Sequence, residues 1–293
     1  MDSETDREEL KSGVADLHMH TVASDGTDTI STRLEQAADR GLDVIAVTDH
    51  DILSNELDDR SKMVDGVELI TGVEARADVE GTKVEFLGLY VDPDGSELSS
   101  VLEKARRYRH ERNRQLVENF NDVTGMEVEL EELQADVEGV LGRPHFAEIL
   151  MEEGYVDDVG EAFDEYLGED GEIYVRMEYV PYREVIDAIH AAGGVASLAH
   201  PGRISTDDVP GIVEELAEYG LDGVEVWYPY GDVTSDRYAD LGVEDAHRLA
   251  EKHGLIKTGG SDCHGRGSGK YRIGEVRVPE EELEKIREKA SPG

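Results

Sequence analysis

Residues 16–26 read DLHMHTVASDG, preceded by the apolar pair Val14 and Ala15. Residues i and i+2 of a strand point to the same face, so His18 and His20 at the end of such a strand can offer two imidazoles to one ligand. Ser24, Asp25 and Gly26 follow directly. Outward from this stretch the pattern repeats. Residues 43–48 (DVIAVT) read as a second strand ending at Asp49 and His50, residues 67–73 (VELITGV) as a third ending at Glu74, and residues 84–91 (VEFLGLYV) as a fourth. A helix over 31–40, stopped by Gly41, separates the first two. Beyond 180 a helix over 182–192 precedes a strand over 194–200 that closes on His200. A helix over 209–219, a strand over 223–228 and a helix reaching His253 come next, and a strand over 255–262 brings Asp262 and His264, again at i, i+2. This alternation is the rhythm of an α/β fold with a mostly parallel sheet. In parallel α/β barrels the carboxyl ends of the strands form the functional face, so donors far apart in sequence converge there.

The middle of the chain breaks the rhythm. Residues 98–120 predict one long charged helix carrying Lys104, Arg106, Arg107, Arg109, Arg112 and Arg114, followed by a shorter acidic helical stretch to about Tyr174. With no strand in it, the block reads as an inserted helical subdomain over 96–180, dividing residues 1–95 from 181–293. The arginines of the long helix read as a solvated face.

Composition narrows the function classes. Sixty-nine acids against 29 bases give a formal net charge of −40 in 293 residues, of which 38% are hydrophobic. That excess describes the surface and its solvent, and fits a halophilic protein in which concentrated salt screens carboxylate repulsion. It disfavours an extended nucleic-acid groove, whose affinity needs clustered cations, but not a short oligonucleotide end held at a metal site. The single cysteine, Cys263, excludes an intramolecular disulfide framework and fits a reducing compartment. The start MDSETDREELKSG has no apolar core for a secretory signal, and no run approaches the roughly 20 apolar residues of a membrane span. A cytoplasmic protein is expected.

One H-x-H pair is a weak signal, and any lone buried histidine is more often a hydrogen-bonded core residue than a ligand. Repetition carries the weight here: H-x-H and D-x-H both fall at strand ends, with His50, Glu74 and His200 in equivalent places. Mixed imidazole and carboxylate donors suit Mn, Fe or Zn better than Ca or Mg, and more than four of them imply more than one ion. His110, His190, His247 and His253 lie on helices and read as surface or packing residues. Cys263, between two donors, should face the other way as a structural thiol.

The same residues resemble the PHP (polymerase and histidinol phosphatase) family: DLHMHTVASDG at 16–26, VTDHD at 47–51, GVE at 72–74, LAHP at 198–201 and GGSDCHG at 259–265. GRPH at 142–145, inside the insertion, is similar to stand-alone phosphoesterases that act on nucleoside 3′,5′-bisphosphates or on RNA from its 5′ end. The resemblance implies a distorted (β/α)7 barrel with an inserted helical domain and two or three divalent ions, Mn2+ foremost, with Zn2+ or Fe2+ as alternatives. It implies that His18, His20, Glu74 and Asp262 hold one ion. Glu74 would bridge to a second beside His200, and Asp25, His50 and His264 would hold a third. The family usually has a histidine where this chain has Glu85; Glu85 either coordinates through oxygen, favouring a harder ion, or leaves that position weak.

Phosphate esters resist hydrolysis because their negative charge repels nucleophiles, a problem that a multinuclear centre answers. The expected reaction is attack by a metal-bridging hydroxide held near Glu74, with Glu74, Asp262 and His264 as catalytic residues. Arg143, His145 and Arg203 are the candidates to bind a substrate phosphate, and Asp49 and Ser24 to orient ligands. The expected substrate is a phosphate ester of a nucleotide or the end of an oligonucleotide. Histidinol phosphate is the weaker alternative. Outside enzymes, a non-catalytic metal-binding module or a nucleic-acid binder using the arginine-rich helix are the competing readings.

Overall fold

The computed structural model describes residues 13–136, 141–230, 239, 241–266, 268 and 273–290; apart from Gly13, the charged amino-terminal stretch lies outside the described residues. The strands are β1 (Ala15–Asp16), β2 (Val44–Val47), β3 (Ser61–Val64), β4 (Val67–Val79), β5 (Thr82–Leu89), β6 (Val180–Pro181), β7 (Val195–Leu198), β8 (Gly223–Trp227) and β9 (Ile256–Gly259). Every residue of β2, β7 and β8 is buried, as expected of strands covered on both faces.

Seven strands pair in the order β1-β2-β4-β5-β7-β8-β9. The two ends of that row then meet. The Leu17 N–H donates to the Gly259 carbonyl at 3.1 Å, and Met19 forms a parallel bridge with Cys263. The sheet is therefore a nearly closed α/β barrel. Its distortion is local to β5, which runs antiparallel to both β4 and β7, while the other neighbours in the row are parallel. The cause is the connection. β4 runs on to Val79 and turns back through Glu80 and Gly81, both with positive φ, the backbone that a two-residue hairpin requires. β3 and β6 lie off the row, each paired with β4.

Helices fill the connections. The helix Ile30–Asp39 is capped by Thr29, whose side chain accepts from the Thr32 N–H, and buries Ile30, Arg33 and Ala37. Its stop is Gly41 at φ 64°. The helix Val243–His253 ends likewise on Gly254 in the left-handed region. A carboxy-terminal helix, Glu280–Ala290, has no counterpart in the sequence reading.

The chain forms two compact units: Met1–Glu103 with Val180–Gly293, and Lys104–Tyr179. The second unit has its own apolar cluster, which includes Leu116, Phe120, Phe146, Leu150, Leu167 and Ile173. The long helix spans Ser96–Thr124, and shorter helices at Leu130–Asp136, Arg143–Glu152 and Val159–Ala162 follow it. Among the described residues no helix is long and apolar enough to cross a membrane.

Candidate metal centre

Beneath the H-x-H pair, Asp16 is fully buried and accepts from the Ser261 N–H at 3.0 Å, the Ser261 hydroxyl at 2.7 Å and the Gly274 N–H at 2.7 Å. It thereby ties the first strand to the segment carrying Asp262. Met19 and Cys263, the residues between the paired donors, turn away into an apolar cluster with Ile45 and Val47. Behind them the fully buried Arg33 donates to the carbonyls of His20 (2.7 Å) and Cys263 (3.1 Å) and to the Cys263 sulfur (3.0 Å). The thiol is buried and free, and burial raises its pKa.

In front, the donors gather. His18 Nε2 and His20 Nε2 are 3.3 Å apart, and His20 Nε2 lies 3.2 Å from Asp262 Oδ1 and 3.4 Å from Glu74 Oε2. Glu74 Oε1 is 2.9 Å from His200 Nε2 and 3.5 Å from His18 Nε2. On the other side, Asp25 approaches His20 Nδ1 (3.6 Å), His50 Nε2 (3.6 Å) and His264 Nε2 (3.4 Å). Glu85 Oε2 is 3.8 Å from His200 Nε2, and the Lys83 ammonium is 2.8 Å from the other Glu85 oxygen. Because β5 is antiparallel, it is the first half of this strand that brings Glu85 level with the carboxyl end of β7. Glu74 does not close its strand as expected; it sits in the middle of β4, opposite His50 in a parallel bridge.

Sets of three or four donor atoms lie within 4.8 Å of one another: His20, Asp25, His50 and His264; His18, His20 and Glu74; His18, His200 and Glu225; His50, Glu74 and Glu85. The buried atoms His20 Nδ1, His50 Nδ1 and Glu74 Oε2 make no hydrogen bond. His50 Nδ1 and Glu74 Oε2 approach to 2.8 Å, yet not in hydrogen-bond alignment. Buried polar atoms left without hydrogen bonds call for an explanation, and a cation supplies one here. The donor set fits divalent ions.

Protonation follows from the same crowding. Burial, reinforced by His50 and His264, pulls His20 down to about 4. Burial opposes the charged form of Glu74, but the surrounding histidines outweigh it and hold the carboxyl well below its ordinary range. Burial likewise opposes ionisation of Glu85, and Lys83 and nearby histidines nevertheless bring it down to about 2. Asp25 is also depressed, by His264, His50 and His20 against burial. Deprotonated carboxylates and a neutral His20 are the forms that bind metal.

A cleft of about 310 Å³ opens on this face, lined by His50, Glu74, Glu85, His200, Asp262 and His264 together with Lys83, Arg203 and Ser205. Arg203 donates to Asp262 Oδ2 (3.2 Å) and to the Tyr228 hydroxyl (2.5 Å), which itself donates to Asp262 Oδ2 (3.0 Å). Asp49 accepts from the Thr21 N–H (2.8 Å) and hydroxyl (2.7 Å) and from the Ser24 hydroxyl (2.5 Å), bracing the loop that carries Asp25. Two donors sit on strained backbone: His200 has φ 25° and Asp262 φ 49°. Arg143 and His145 belong to the second unit. There Arg143 donates to the Leu167 carbonyl (3.0 Å) beside the rings of Phe163 and Tyr174, and His145 Nδ1 accepts from the Gly142 N–H (3.1 Å).

The sequence reading passed over Glu225, Tyr228, Arg33 and Asp16. Each left a signal: a charged or polar group inside an otherwise apolar strand or helix face, which burial obliges to find partners.

Residues 16–225 match the PHP domain family. The chain belongs to it. Curated relatives include a 5′-3′ exoribonuclease of Haemophilus influenzae, 32% identical over 72% of this chain and 78% of its own. A phosphoribosyl 1,2-cyclic phosphate 1,2-diphosphodiesterase of Eggerthella lenta is 32% identical over 91% of this chain and 99% of its own. A 3′,5′-nucleoside bisphosphate phosphatase of Chromobacterium violaceum is 28% identical over 88% and 90%. Among solved structures, one assigned as a metal-dependent phosphoesterase from Bifidobacterium adolescentis superposes with a TM-score of 0.74, at 28% identity over 97% of this chain and 99% of that one. This PHP-domain chain is a metal-dependent phosphoesterase.

Proposed function

We propose that the chain hydrolyses a phosphate ester of a nucleotide, either a nucleoside 3′,5′-bisphosphate or the end of a short oligonucleotide, with two or three divalent ions, Mn2+ foremost. One observation carries the reading: eight donors, His18, His20, Asp25, His50, Glu74, His200, Asp262 and His264, from sequence-distant segments meet at one face, with buried nitrogen and oxygen atoms there lacking hydrogen bonds. When bound, the ions would generate a nucleophile from water near neutral pH and neutralise charge growing on the phosphoryl oxygens. Glu74 faces both sides of the cluster, Oε1 toward His18 and His200 and Oε2 toward His20 and His50. That suits it to be shared between two positions. Asp25, His50 and His264 would hold a third, and Glu85 is an oxygen donor at the His200 side, in keeping with a harder ion such as Mn2+.

Tyr228 and Arg203 hold Asp262 Oδ2, so Oδ1 is the oxygen aimed at His18 and His20. Arg203 also lines the cleft, where its cation complements a phosphate. Arg143 and His145 remain candidates for phosphate binding on the strength of the GRPH motif. A second reading has a specific relative behind it: the cyclic-phosphate diphosphodiesterase, aligned over nearly its whole length, makes a ribosyl cyclic phosphate a competing substrate. Histidinol phosphate is not favoured, since the relatives described are named for other phosphate esters. The free buried Cys263 fits a reducing cytoplasm, and the −40 charge a salt-rich one.

The deciding experiment compares nucleoside 3′,5′-bisphosphates, short RNA and DNA, phosphoribosyl 1,2-cyclic phosphate and histidinol phosphate with Mn2+, at low and high salt. Fastest turnover is expected on a nucleotide substrate. Preference for the cyclic ester would replace the first reading with the second, and bound metal without turnover on any ester would point to a non-catalytic module.

A further inference from the structure

Glu225 is the one charged residue of β8, and its carboxylate is fully buried. Such a group is costly unless both oxygens find donors. Oε1 lies 3.0 Å from His18 Nδ1, and Oε2 accepts the backbone N–H of His200 at 2.7 Å. Both donors thus belong to residues of the metal centre. His200 is also the one held at φ 25°, and the rings of His18 and His200 stack 5.5 Å apart.

We infer that Glu225 is a positioning residue that fixes the proton of His18 on Nδ1 and pins the strained backbone of His200, so that His18 Nε2 faces the cations as a bare donor. An ionised carboxylate only accepts hydrogen bonds. The ring nitrogen facing it must therefore carry the proton, which leaves Nε2 without one in the metal-bound imidazole. Nε2 is the atom that looks toward His20 Nε2, Glu74 Oε1 and Asp262 Oδ1, at 3.3, 3.5 and 3.6 Å. One carboxylate thus serves two donors on different strands. A glutamine in its place has one acceptor oxygen for the two N–H groups and sets its NH2 against the other.

The inference rests on the metal-centre reading and is tested by two measurements that do not use activity. In the first, chelator-stripped protein is titrated calorimetrically with Mn2+. Glu225→Gln is expected to bind its tightest ion about 10–100-fold more weakly than the unaltered protein, with unchanged far-ultraviolet dichroism. Equal affinity would overturn the proposal. The second measures long-range proton–nitrogen correlations of the unaltered protein loaded with diamagnetic Zn2+, and so does not depend on the variant folding. The proton of His18 is expected on Nδ1. A proton on Nε2, as a cation lodged between Nδ1 and Glu225 would require, would overturn it equally. If the unaltered protein takes up no divalent ion at all, the metal-centre reading itself fails.

Discussion

At the scale of single residues, Glu74 and Asp262 have the most to lose. Each brings carboxylate oxygens within 3.6 Å of more than one histidine of the centre. Glu74→Ala and Asp262→Ala are expected to lower kcat/KM at least a hundred- to a thousand-fold, roughly what removal of one preorganised electrostatic contact costs. Steady-state kinetics in Mn2+, with dichroism to verify folding, tests this; near-normal turnover in either variant would mean that the centre is misassigned. Arg143→Ala should raise KM more than it lowers kcat if the guanidinium contributes uniform binding. An unchanged KM would leave Arg143 as the structural tie to Leu167. The candidate donors could be picked out because most of them directly follow a strand, although Glu74 sits in the middle of one. Their supports could not, because Glu225 in GVEVW and Arg33 in ISTRLEQAAD are single polar letters whose partners at the centre lie 13 to 230 residues away.

At the scale of elements, the seven strands of the row and most of the helices could be read from periodicity, but β3, β6 and strand direction could not. Residues 74–83 held the clue. They leave no room for a crossover helix, and Glu80-Gly81 is a tight-turn pair, so β5 had to return antiparallel. The carboxy-terminal helix Glu280–Ala290 was missed, although it contributes to a network joining three elements. Asp222 accepts from His190 Nε2 (2.7 Å) and the Ala196 N–H (2.9 Å), and lies 2.9 Å from the Lys289 ammonium. Burial works against ionisation of Asp222, but these donors outweigh it and hold the carboxyl below its ordinary value. A depressed folded pKa means that the stabilisation is complete above the unfolded carboxylate pKa of about 3.9 and is lost as pH falls through the folded value. Asp222→Asn should cost about 1–3 kcal/mol near neutral pH and make the acid side of the stability profile shallower. Urea titrations across pH would show it; parallel profiles for both proteins would argue against the network.

For the molecule as a whole, a formal charge of −40 has to be tolerated by the folded state. The range of electrostatic repulsion shrinks from about 10 Å at 0.1 M salt to about 3 Å at 1 M. The melting temperature is therefore expected to climb steadily over that interval and beyond in KCl, and a flat response in calorimetry would remove the halophilic reading. The seam of the barrel has a consequence of its own. The backbones of the first and last strands meet through Leu17 to Gly259, His20 to Cys263 and the Met19–Cys263 bridge, with Asp16 and Ser261 tied beneath, while His18 and His20 stand on one lip and Asp262 and His264 on the other. An ion gripped by both lips is a clasp across nearly the full length of the chain, closing late what synthesis began first. Stripped of it, the amides of Leu17, His20 and Thr27 should exchange with deuterium well before those of the β4–β5 hairpin, so the catalytic cofactor would double as the fastener of the fold.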